Sequence, residues 1–121
     1  MSAKIYAVDF DGTLCENQWP EIGNPNRELI QFLKMAREIG HKVVLWTMRE
    51  DDKLEAALEW CKARGLEFDA VNDNTEEMKQ AYGNNPRKVF ANVYIDDRNA
   101  TARQMEDFCV PYHGQKAPWA V

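Results

Sequence analysis

Short apolar segments rich in β-branched residues alternate along this chain with segments whose apolar residues recur at helical spacing, and this alternation constrains the fold more than any other feature. The apolar segments predict strands over 4–10, 42–47, 67–72 and 92–96. The amphipathic segments predict helices within 26–40, 51–65, about 74–82 and 99–108. Strands that alternate with helices are typical of an α/β fold. We therefore expect a Rossmann-like three-layer sandwich with a mostly parallel sheet and helices on both faces.

The chain of 121 residues is short enough for a single domain and long enough to bury a hydrophobic core. The connection 14–25 contains two prolines and a glycine, which predict an irregular flap loop. Asn74, with Glu77 three residues later, resembles a capping box at the start of the short third helix. The tail, 108–121, contains prolines and a glycine, which disfavour regular strands. We therefore expect at most a short edge strand around 109–112.

Composition and charge exclude several classes of protein. The net charge of −5 argues against general nucleic-acid binding. The apolar runs are far shorter than the roughly 20 residues that cross a bilayer, so we expect no membrane association. Cys15, Cys61 and Cys109 are odd in number and form no C-x-x-C motif, which is typical of reduced thiols in a cytoplasmic protein. His41 and His113 have no partner at metal-binding spacing and are expected to be structural or exposed.

Acidic and polar residues stand at the ends of the predicted strands. In open α/β sheets, ligands bind in the crevice beyond the carboxyl ends of the strands. The residues at those ends are Asp9, Asp11, Thr47, Asn72, Asp96 and Asp97. Most of these groups bind metal ions or phosphate. An acidic protein that handles phosphate needs a metal ion or a local cluster of bases to do so.

Each of these residues also has an ordinary structural explanation. The Asp-Gly pair at 11–12 is consistent with a solvated turn or a hairpin, although 14–25 would make a poor partner strand. The acidic pair at 96–97 is consistent with a helix cap, although a cap needs only one aspartate. A strand-end threonine such as Thr47 and a surface lysine such as Lys88 are common. The combination and its order along the chain favour a functional site.

Taken together, these residues resemble the haloacid dehalogenase superfamily of phosphotransferases. The matching residues, in the order of that family, are Asp9-Phe10-Asp11-Gly12-Thr13, Thr47, Lys88 and Asp96-Asp97. The resemblance covers residues 4 to about 107. It implies a Mg²⁺-dependent phosphohydrolase that acts on phosphate monoesters through an aspartyl-phosphate intermediate.

The resemblance also implies a role for each matching residue. Asp9 would be the nucleophile and Asp11 the general acid–base, while Thr47 and Lys88 would hold the phosphoryl group. The implied ligands of Mg²⁺ are Asp9, the backbone carbonyl of Asp11, Asp96 and Asp97. The residues expected to contact the substrate are Gly12, Thr13, Thr47, Arg49 and Lys88. For Arg49 a solvated position at a helix start is an equal alternative, and Lys79 is a second candidate for the lysine role.

The implied chemistry explains why a buried strand ends in two aspartates. Two unit charges about 4 Å apart at an effective dielectric constant of 20 repel by roughly 4 kcal/mol, so carboxylates do not bind a phosphate dianion unaided. A Mg²⁺ ion between them removes this repulsion. Asp11 then gives a proton to the leaving oxygen and later takes one from water. Relatives that cleave carbon–halogen bonds use no acid at this position, so Asp11 favours phosphoryl transfer.

Members of this superfamily usually carry a cap domain after the first or the third strand, and neither gap in this chain has room for one. We therefore expect no cap domain and an open site. Such a site suits a phosphate on a large or extended substrate, or closure by another subunit of a homo-oligomer. Trp19 and Glu16 of the flap are candidates to contact the leaving group, and Cys15 is expected to be a bystander. The phosphorylated substrate itself is not specified by these motifs.

Two other classes share some of these features. A receiver domain of two-component signalling has a similar length, an alternating sheet, an acidic pair, a phosphorylated aspartate, a threonine and a lysine. Its order is acidic pair, aspartate, threonine and lysine, whereas the acidic pair comes last here. The other alternative is a non-catalytic protein that binds phosphate or metal on the same fold. The complete set of ionisable groups argues against that alternative.

Overall fold

The computed structural model describes residues 3–99, which alternate between strands and helices as predicted. In chain order the elements are β1 (Ile5–Val8), β2 (Cys15–Gln18), β3 (Glu21–Pro25), α1 (Arg27–Glu38), β4 (Lys42–Leu45), α2 (Asp51–Ala63), β5 (Ala70–Val71), α3 (Glu76–Tyr82) and β6 (Val93–Ile95). The predicted α/β class is confirmed. Each observed strand of the parallel sheet is shorter than the apolar segment that predicted it. The helix predicted over 99–108 and the tail 108–121, with its edge strand around 109–112, fall outside the described residues apart from position 99. Within 3–99, none of the helices combines the length and apolar character needed to cross a bilayer.

β1 lies inside a four-stranded parallel sheet whose order is β5-β4-β1-β6. Val8, the last residue of β1, is level with Leu45 of β4 and Ile95 of β6. Because the strands are parallel, the residues that follow them meet at one edge of the sheet. The chain adds β4 and β5 on one side of β1 and then crosses to add β6 on the other side. The topological switch point, where such sheets bind ligands, therefore lies between β1 and β6.

This strand order bears on the receiver-domain alternative. In the flavodoxin-like order 2-1-3-4-5, which receivers share, the first strand stands between the second and the third. Here the first strand of the parallel sheet, β1, stands between the second (β4) and the fourth (β6), and the third (β5) is outermost in the described part. The described sheet follows the Rossmann order and departs from that of a receiver.

Side chains alternate between the two faces of the sheet, and both faces are covered. On one face, Val8 packs with Leu33 of α1 and Cys61 of α2 in a buried cluster. On the other face, Val44 belongs to a second cluster that the partly buried Met78 of α3 contacts. This arrangement of helices on both sides of a parallel sheet is compatible with the predicted Rossmann-like sandwich.

The capping box predicted at Asn74 is wrong by one residue. The residue that caps α3 is Thr75, whose hydroxyl oxygen accepts a hydrogen bond from the N–H of Met78. Asn74 is buried, and its amide group bonds to the segment that precedes β6. It donates to the side chain of Asn85 and accepts from the N–H of Phe90. The physical reason for the difference is that this buried amide is occupied by long-range partners that local spacing does not reveal.

The flap predicted as an irregular loop over 14–25 is instead an antiparallel hairpin of β2 and β3. The prediction rested on the prolines and the glycine of this segment. Pro20 lies in the turn and Pro25 at the end of β3, where neither interrupts the pairing. A Cβ atom at Gly23 would collide with the backbone of Glu16, so this glycine permits the close approach of the two strands. The hairpin forms a separate two-stranded sheet beside the parallel sheet.

Candidate functional site

One pocket of about 450 Å³ lies at the carboxyl edge of the parallel sheet, next to the hairpin. The residues that line it are Asp9, Asp11, Asn17, Trp19, Thr47, Met48, Arg49, Asp96, Asp97 and Arg98. They follow β1, β4 and β6 or belong to the hairpin, so the pocket occupies the switch point. The pocket therefore brings together these residues of the predicted site: Asp9, Asp11, Thr47, Arg49, Asp96 and Asp97.

Three carboxylates in this pocket are close enough to share one cation. Asp9, Asp96 and Asp97 each offer an oxygen atom, and these atoms lie within 4.8 Å of one another. Backbone pairing helps to bring them together, because the N–H of Asp9 donates to the carbonyl of Ile95 at 3.0 Å and continues the pairing of β1 with β6. Carboxylate oxygens are the ligands that Mg²⁺ and Ca²⁺ prefer. This donor set therefore fits the predicted metal ion.

Asp9 is the most perturbed carboxyl group of the pocket. Its pKa is raised to about 6, mainly by burial and also by the negative charges of Asp96, Asp97 and Asp11. A hydrogen bond with the backbone of Phe10 acts in the opposite direction but does not outweigh burial. At neutral pH Asp9 therefore carries a charge that its surroundings disfavour. A bound cation would remove that penalty.

Gly12 lies directly against the acidic cluster. Its φ is +84°, and a Cβ atom at this position would collide with the side-chain carboxylate of Asp97. The backbone N–H of Gly12 donates to the carbonyl of Cys15 at 2.9 Å. That N–H is therefore engaged in the turn and not directed at a ligand. The predicted contact of Gly12 with substrate is replaced here by a steric role, which is to leave space for Asp97.

Asp11 forms a bidentate ion pair with Arg49. The guanidinium donates from Nε to Oδ2 of Asp11 at 2.8 Å and from a terminal nitrogen to Oδ1 at 2.7 Å. The side chain of Arg49 is only 1% exposed and that of Asp11 is 18% exposed. Such paired hydrogen bonds fix the plane of the carboxylate as well as its position. Asp11 is therefore held in a single orientation at the rim of the pocket.

The prediction that Arg49 is solvated at a helix start is wrong, because its side chain is buried. The alternative, a contact with phosphate, stays a prediction. Besides Asp11, the guanidinium donates to the backbone carbonyls of Pro20, Glu21 and Lys53. The guanidinium carbon also lies 5.0 Å from the ring centre of Trp19. Nε and Nη2 of this buried guanidinium are therefore bonded to Asp11 and to the hairpin. Nothing near Arg49 in the sequence signals this arrangement, because all its partners except Lys53 come from the turn after β1 and from the hairpin.

Thr47 lies at the end of β4 with its backbone and side chain both engaged. Its N–H donates to the amide oxygen of Asn72 at 2.7 Å, and its hydroxyl oxygen accepts from the N–H of Arg49 at 3.2 Å. No residue within 3–99 accepts the hydroxyl proton, so it can be donated into the pocket. The strand-end residue Asn72 does not line the pocket but supports Thr47 from the neighbouring strand.

Lys88 does not line this pocket. It borders a separate cavity of about 380 Å³ together with Tyr82 and Tyr94, and its Nζ lies 5.9 Å from the centre of the Tyr94 ring. The order of residues along the chain predicted its role, but the segment before β6 runs along the face of the sheet that α3 covers. The second candidate, Lys79, pairs with Asp73 at 2.7 Å and is likewise absent from the pocket lining.

Thr13, the last residue of the first motif, and the nearby Cys15 are both buried. Thr13 is buried outside the pocket lining, and its hydroxyl has no hydrogen-bond partner among the described residues. The pocket therefore does not bring Thr13 together with the other predicted residues, and its contact with substrate stays a prediction. Cys15 is also buried, and burial raises the pKa of its thiol. A thiol with a raised pKa is a poor nucleophile, as expected of a bystander.

Three residues that sequence patterns did not single out also line the pocket: Asn17, Met48 and Arg98. Met48 follows Thr47 and is 96% exposed, and Arg98 follows the acidic pair. The position of Arg98 beside Asp97 is a signal that could have been used, because a cation next to an acidic motif at a strand end lies near any bound phosphate. Met48 and Asn17 carry no such signal.

Comparisons with known proteins give one solved structure as a relative. No protein-family model matches the sequence, and no curated protein does. The structure of a conserved protein coded by a locus of Bacteroides thetaiotaomicron is 36% identical, with a TM-score of 0.71. The alignment covers 95% of this chain and 94% of that one. With this identity over nearly the whole of both chains, the chain belongs to the same family as that conserved Bacteroides protein.

Proposed function

We propose that this protein is a Mg²⁺-dependent phosphatase of the haloacid dehalogenase type, which hydrolyses phosphate monoesters through an aspartyl-phosphate. The observation that carries the proposal is the convergence of Asp9, Asp11, Asp96 and Asp97 on one pocket at the switch point of the sheet. Carboxylates this close repel one another unless a cation lies among them. A pocket that combines them with the hydroxyl of Thr47 suits a phosphate bound through a metal ion.

The residues that would hold Mg²⁺ are Asp9, Asp96 and Asp97 through their side chains and Asp11 through its backbone carbonyl. When bound, the ion supplies the positive charge that offsets the repulsion between Asp9 and a phosphate dianion. Mg²⁺ suits this set because it binds through few carboxylates and keeps several of its waters.

Asp9 and Asp11 divide the chemistry between them. A carboxylate oxygen of Asp9 attacks phosphorus, the bond to the ester oxygen breaks, and that oxygen takes a proton from Asp11. Asp11 then accepts a proton from water, whose oxygen attacks the phosphorus of the aspartyl-phosphate. This second step releases inorganic phosphate and restores the carboxylate of Asp9. One difficult displacement is thereby divided into two easier ones.

The ion pair with Arg49 fixes the position and the plane of the Asp11 carboxylate for both of its tasks.

Thr47 and Arg98 are the residues proposed to contact the non-bridging oxygens of the phosphate. Thr47 has a hydroxyl proton to donate, and Arg98 is an exposed cation on the pocket wall. Arg98 replaces Lys88 in this proposal because Lys88 borders a different cavity. The open pocket next to the half-exposed Trp19 leaves space for a leaving group larger than the phosphate itself.

The test is hydrolysis of 4-nitrophenyl phosphate and of glycerol phosphate by the purified chain, with Mg²⁺ and after chelation. We expect Mg²⁺-dependent activity that Asp9→Asn abolishes. Asp11→Asn should lower kcat/KM for the alkyl ester by roughly 10²–10⁴ and for the aryl ester by much less. Asp73→Asn is the matched control, because this aspartate also follows a strand of the sheet but pairs with Lys79 outside the pocket.

Activity that survives complete chelation would remove the metal ion from the proposal. An Asp9→Asn variant with full activity, alongside an inactive Asp11→Asn variant, would reverse the two roles. Full activity in both variants would place the reaction elsewhere in the protein. Absence of hydrolysis with retained Mg²⁺ and phosphate binding would favour the non-catalytic alternative.

A further inference from the structure

We propose that Arg49 is a positioning residue that joins Asp11 to the hairpin of β2 and β3, so that the wall of the pocket and the proton-transferring carboxylate form one rigid unit. The inference rests on the proposed function only for the role of Asp11 as acid–base. Under this proposal the hairpin is a fixed wall of the pocket on the leaving-group side, and not a mobile flap.

The first observation is the number of partners that one buried guanidinium serves. Arg49 donates to both carboxylate oxygens of Asp11, at 2.7 and 2.8 Å. It also donates to the carbonyls of Pro20 at 3.4 Å and Glu21 at 3.2 Å, which lie at the turn of the hairpin. A further bond runs to the carbonyl of Lys53 in α2 at 3.3 Å. The same side chain therefore bonds to the turn after β1, the hairpin and a helix.

The second observation is that the tip of the hairpin is exposed, whereas its base is held in the hydrophobic core by Cys15. An isolated two-stranded hairpin is marginally stable in water. The hairpin pairs with no strand of the parallel sheet in the described residues. The guanidinium carbon of Arg49 lies over two aromatic rings, 4.9 Å from the centre of Phe10 and 5.0 Å from that of Trp19. Arg49 therefore supplies polar and aromatic contacts to the turn at the same point.

Lysine cannot replace arginine in this arrangement. The guanidinium presents five N–H donors in a planar fork, whereas the ammonium group of lysine presents three donors around a point. Nε of Arg49 bonds to one carboxylate oxygen of Asp11, Nη2 bonds to the other and to the carbonyls of Pro20 and Glu21, and Nη1 bonds to the carbonyl of Lys53. An Arg49→Lys variant keeps the charge but loses the bidentate hydrogen bonds to Asp11. This variant therefore separates positioning from simple charge compensation.

The test is a double-mutant cycle with Arg49→Met, Asp11→Asn and the double variant, assayed on an aryl and an alkyl phosphate. If Arg49 acts through Asp11, Arg49→Met lowers kcat for the alkyl ester by about 10²-fold or more, and for the aryl ester by much less, with little change in KM. In the Asp11→Asn background the same change alters the rate by no more than about threefold. Arg49→Lys should not restore the rate with the alkyl ester.

A second readout does not depend on activity. Hydrogen exchange of the hairpin amides, followed by mass spectrometry on peptides that cover 15–25, should be faster in Arg49→Met and Arg49→Lys than in the wild type. The matched control is Arg37→Met, because Arg37 also forms a two-pronged pair, with Asp69, but away from the pocket. That variant should leave both hairpin exchange and the leaving-group dependence unchanged.

Several outcomes would overturn the inference. An increase in KM and weaker inhibition by inorganic phosphate in both backgrounds would make Arg49 a direct phosphate ligand. Equal losses on both esters, or hairpin exchange unchanged in Arg49→Lys, would leave it without a positioning role. If the wild type hydrolyses no phosphate ester, the proposed function fails, and the exchange measurement alone decides whether Arg49 holds the hairpin.

Discussion

The side-chain carboxylate of Asp97 occupies the space into which a Cβ atom of residue 12 would project, so Gly12 and Asp97 can coexist only because residue 12 has no side chain. The two residues follow different strands, β1 and β6, and meet at the switch point. The turn after the first strand is thereby matched in shape to the acidic pair after the last described strand.

We expect Gly12→Ala to displace Asp97 and to weaken Mg²⁺ binding. The variant should also lose about 1–2 kcal/mol of stability, because its φ of +84° is strained for alanine. Gly83→Ala is the matched control, with a φ of +71° and no atom within 4 Å of the added Cβ. Thermal unfolding with and without Mg²⁺ separates the two effects: both variants unfold earlier, but only Gly12→Ala loses the increase in Tm on adding Mg²⁺. An equal response to Mg²⁺ in both variants would contradict this expectation.

A second prediction concerns the pH dependence of stability in the metal-free protein. Burial, with help from neighbouring carboxylates, raises the pKa of Asp9 to about 6 in the folded state, above the value of about 3.9 for an unfolded chain. Between these values the folded state binds more protons, so the contribution of Asp9 to stability is present below pH 4 and is lost as the pH rises through 6. Asp9→Asn should therefore raise Tm at pH 7–8, and the gain should vanish near pH 4.

The control for this measurement is a carboxyl group whose contribution to stability has the opposite dependence on pH. The hydrogen bond from Lys79, followed by that from Asn85, holds the pKa of Asp73 below its usual value. Its contribution is therefore present above about pH 4 and lost as the pH falls through the lowered pKa. Asp73→Asn should lower Tm at pH 7 and have little effect in strong acid. Parallel pH profiles for the two variants would show that the surroundings of Asp9 do not disfavour its charge.

Replacement of Thr47 tests whether its hydroxyl donates to phosphate. Thr47→Val keeps the branched shape, and we expect inorganic phosphate to inhibit about tenfold less well, the usual value of a hydrogen bond to a charged group. Because the hydroxyl oxygen also accepts from the N–H of Arg49, a loss of about 1 kcal/mol in stability should accompany the change. Thr47→Ser is the control and should restore both. Unaltered inhibition in Thr47→Val would assign this residue a purely structural role.

The placement of the two basic residues near β6 leads to a fourth prediction. Arg98→Met should raise KM for a phosphate ester several-fold, since it removes a cation from the pocket wall. Lys88→Met should change KM by less than about twofold, since Lys88 borders another cavity. Both are measured by steady-state kinetics with the same ester. The reverse result would show that Lys88 reaches the phosphate, as the resemblance to the haloacid dehalogenase superfamily implies.

The elements that were predicted correctly are those specified by local patterns. Apolar runs locate β1 and β4, and amphipathic spacing locates α1 and α2. Because the sheet is parallel, the strand-end position of Asp9 and Asp96 was enough to predict that they meet. These inferences needed only the period of the pattern and the topology that alternation implies.

The features that were missed depend on contacts between distant segments. The pair of Arg49 with Asp11 joins residues 38 positions apart, and neither neighbourhood signals it. Lys88 was assigned by its order along the chain, which does not determine the face of the sheet on which a connecting segment runs. The hairpin was misread because prolines were counted without regard to their place, and they lie where the strands need no donor.

Four carboxylates around one pocket also shape the field that an approaching molecule meets before any contact is made. With a net charge of −5, that field opposes anions over roughly a Debye length, about 8–10 Å in physiological salt. Encounter of a phosphate ester with the metal-free protein should therefore become faster as ionic strength rises, which is the reverse of the behaviour of enzymes that steer their substrates by opposite charge. Discrimination among anions thus begins before contact. The protein repels small or multiply charged phosphates more strongly than phosphates whose charge is dispersed over a large molecule.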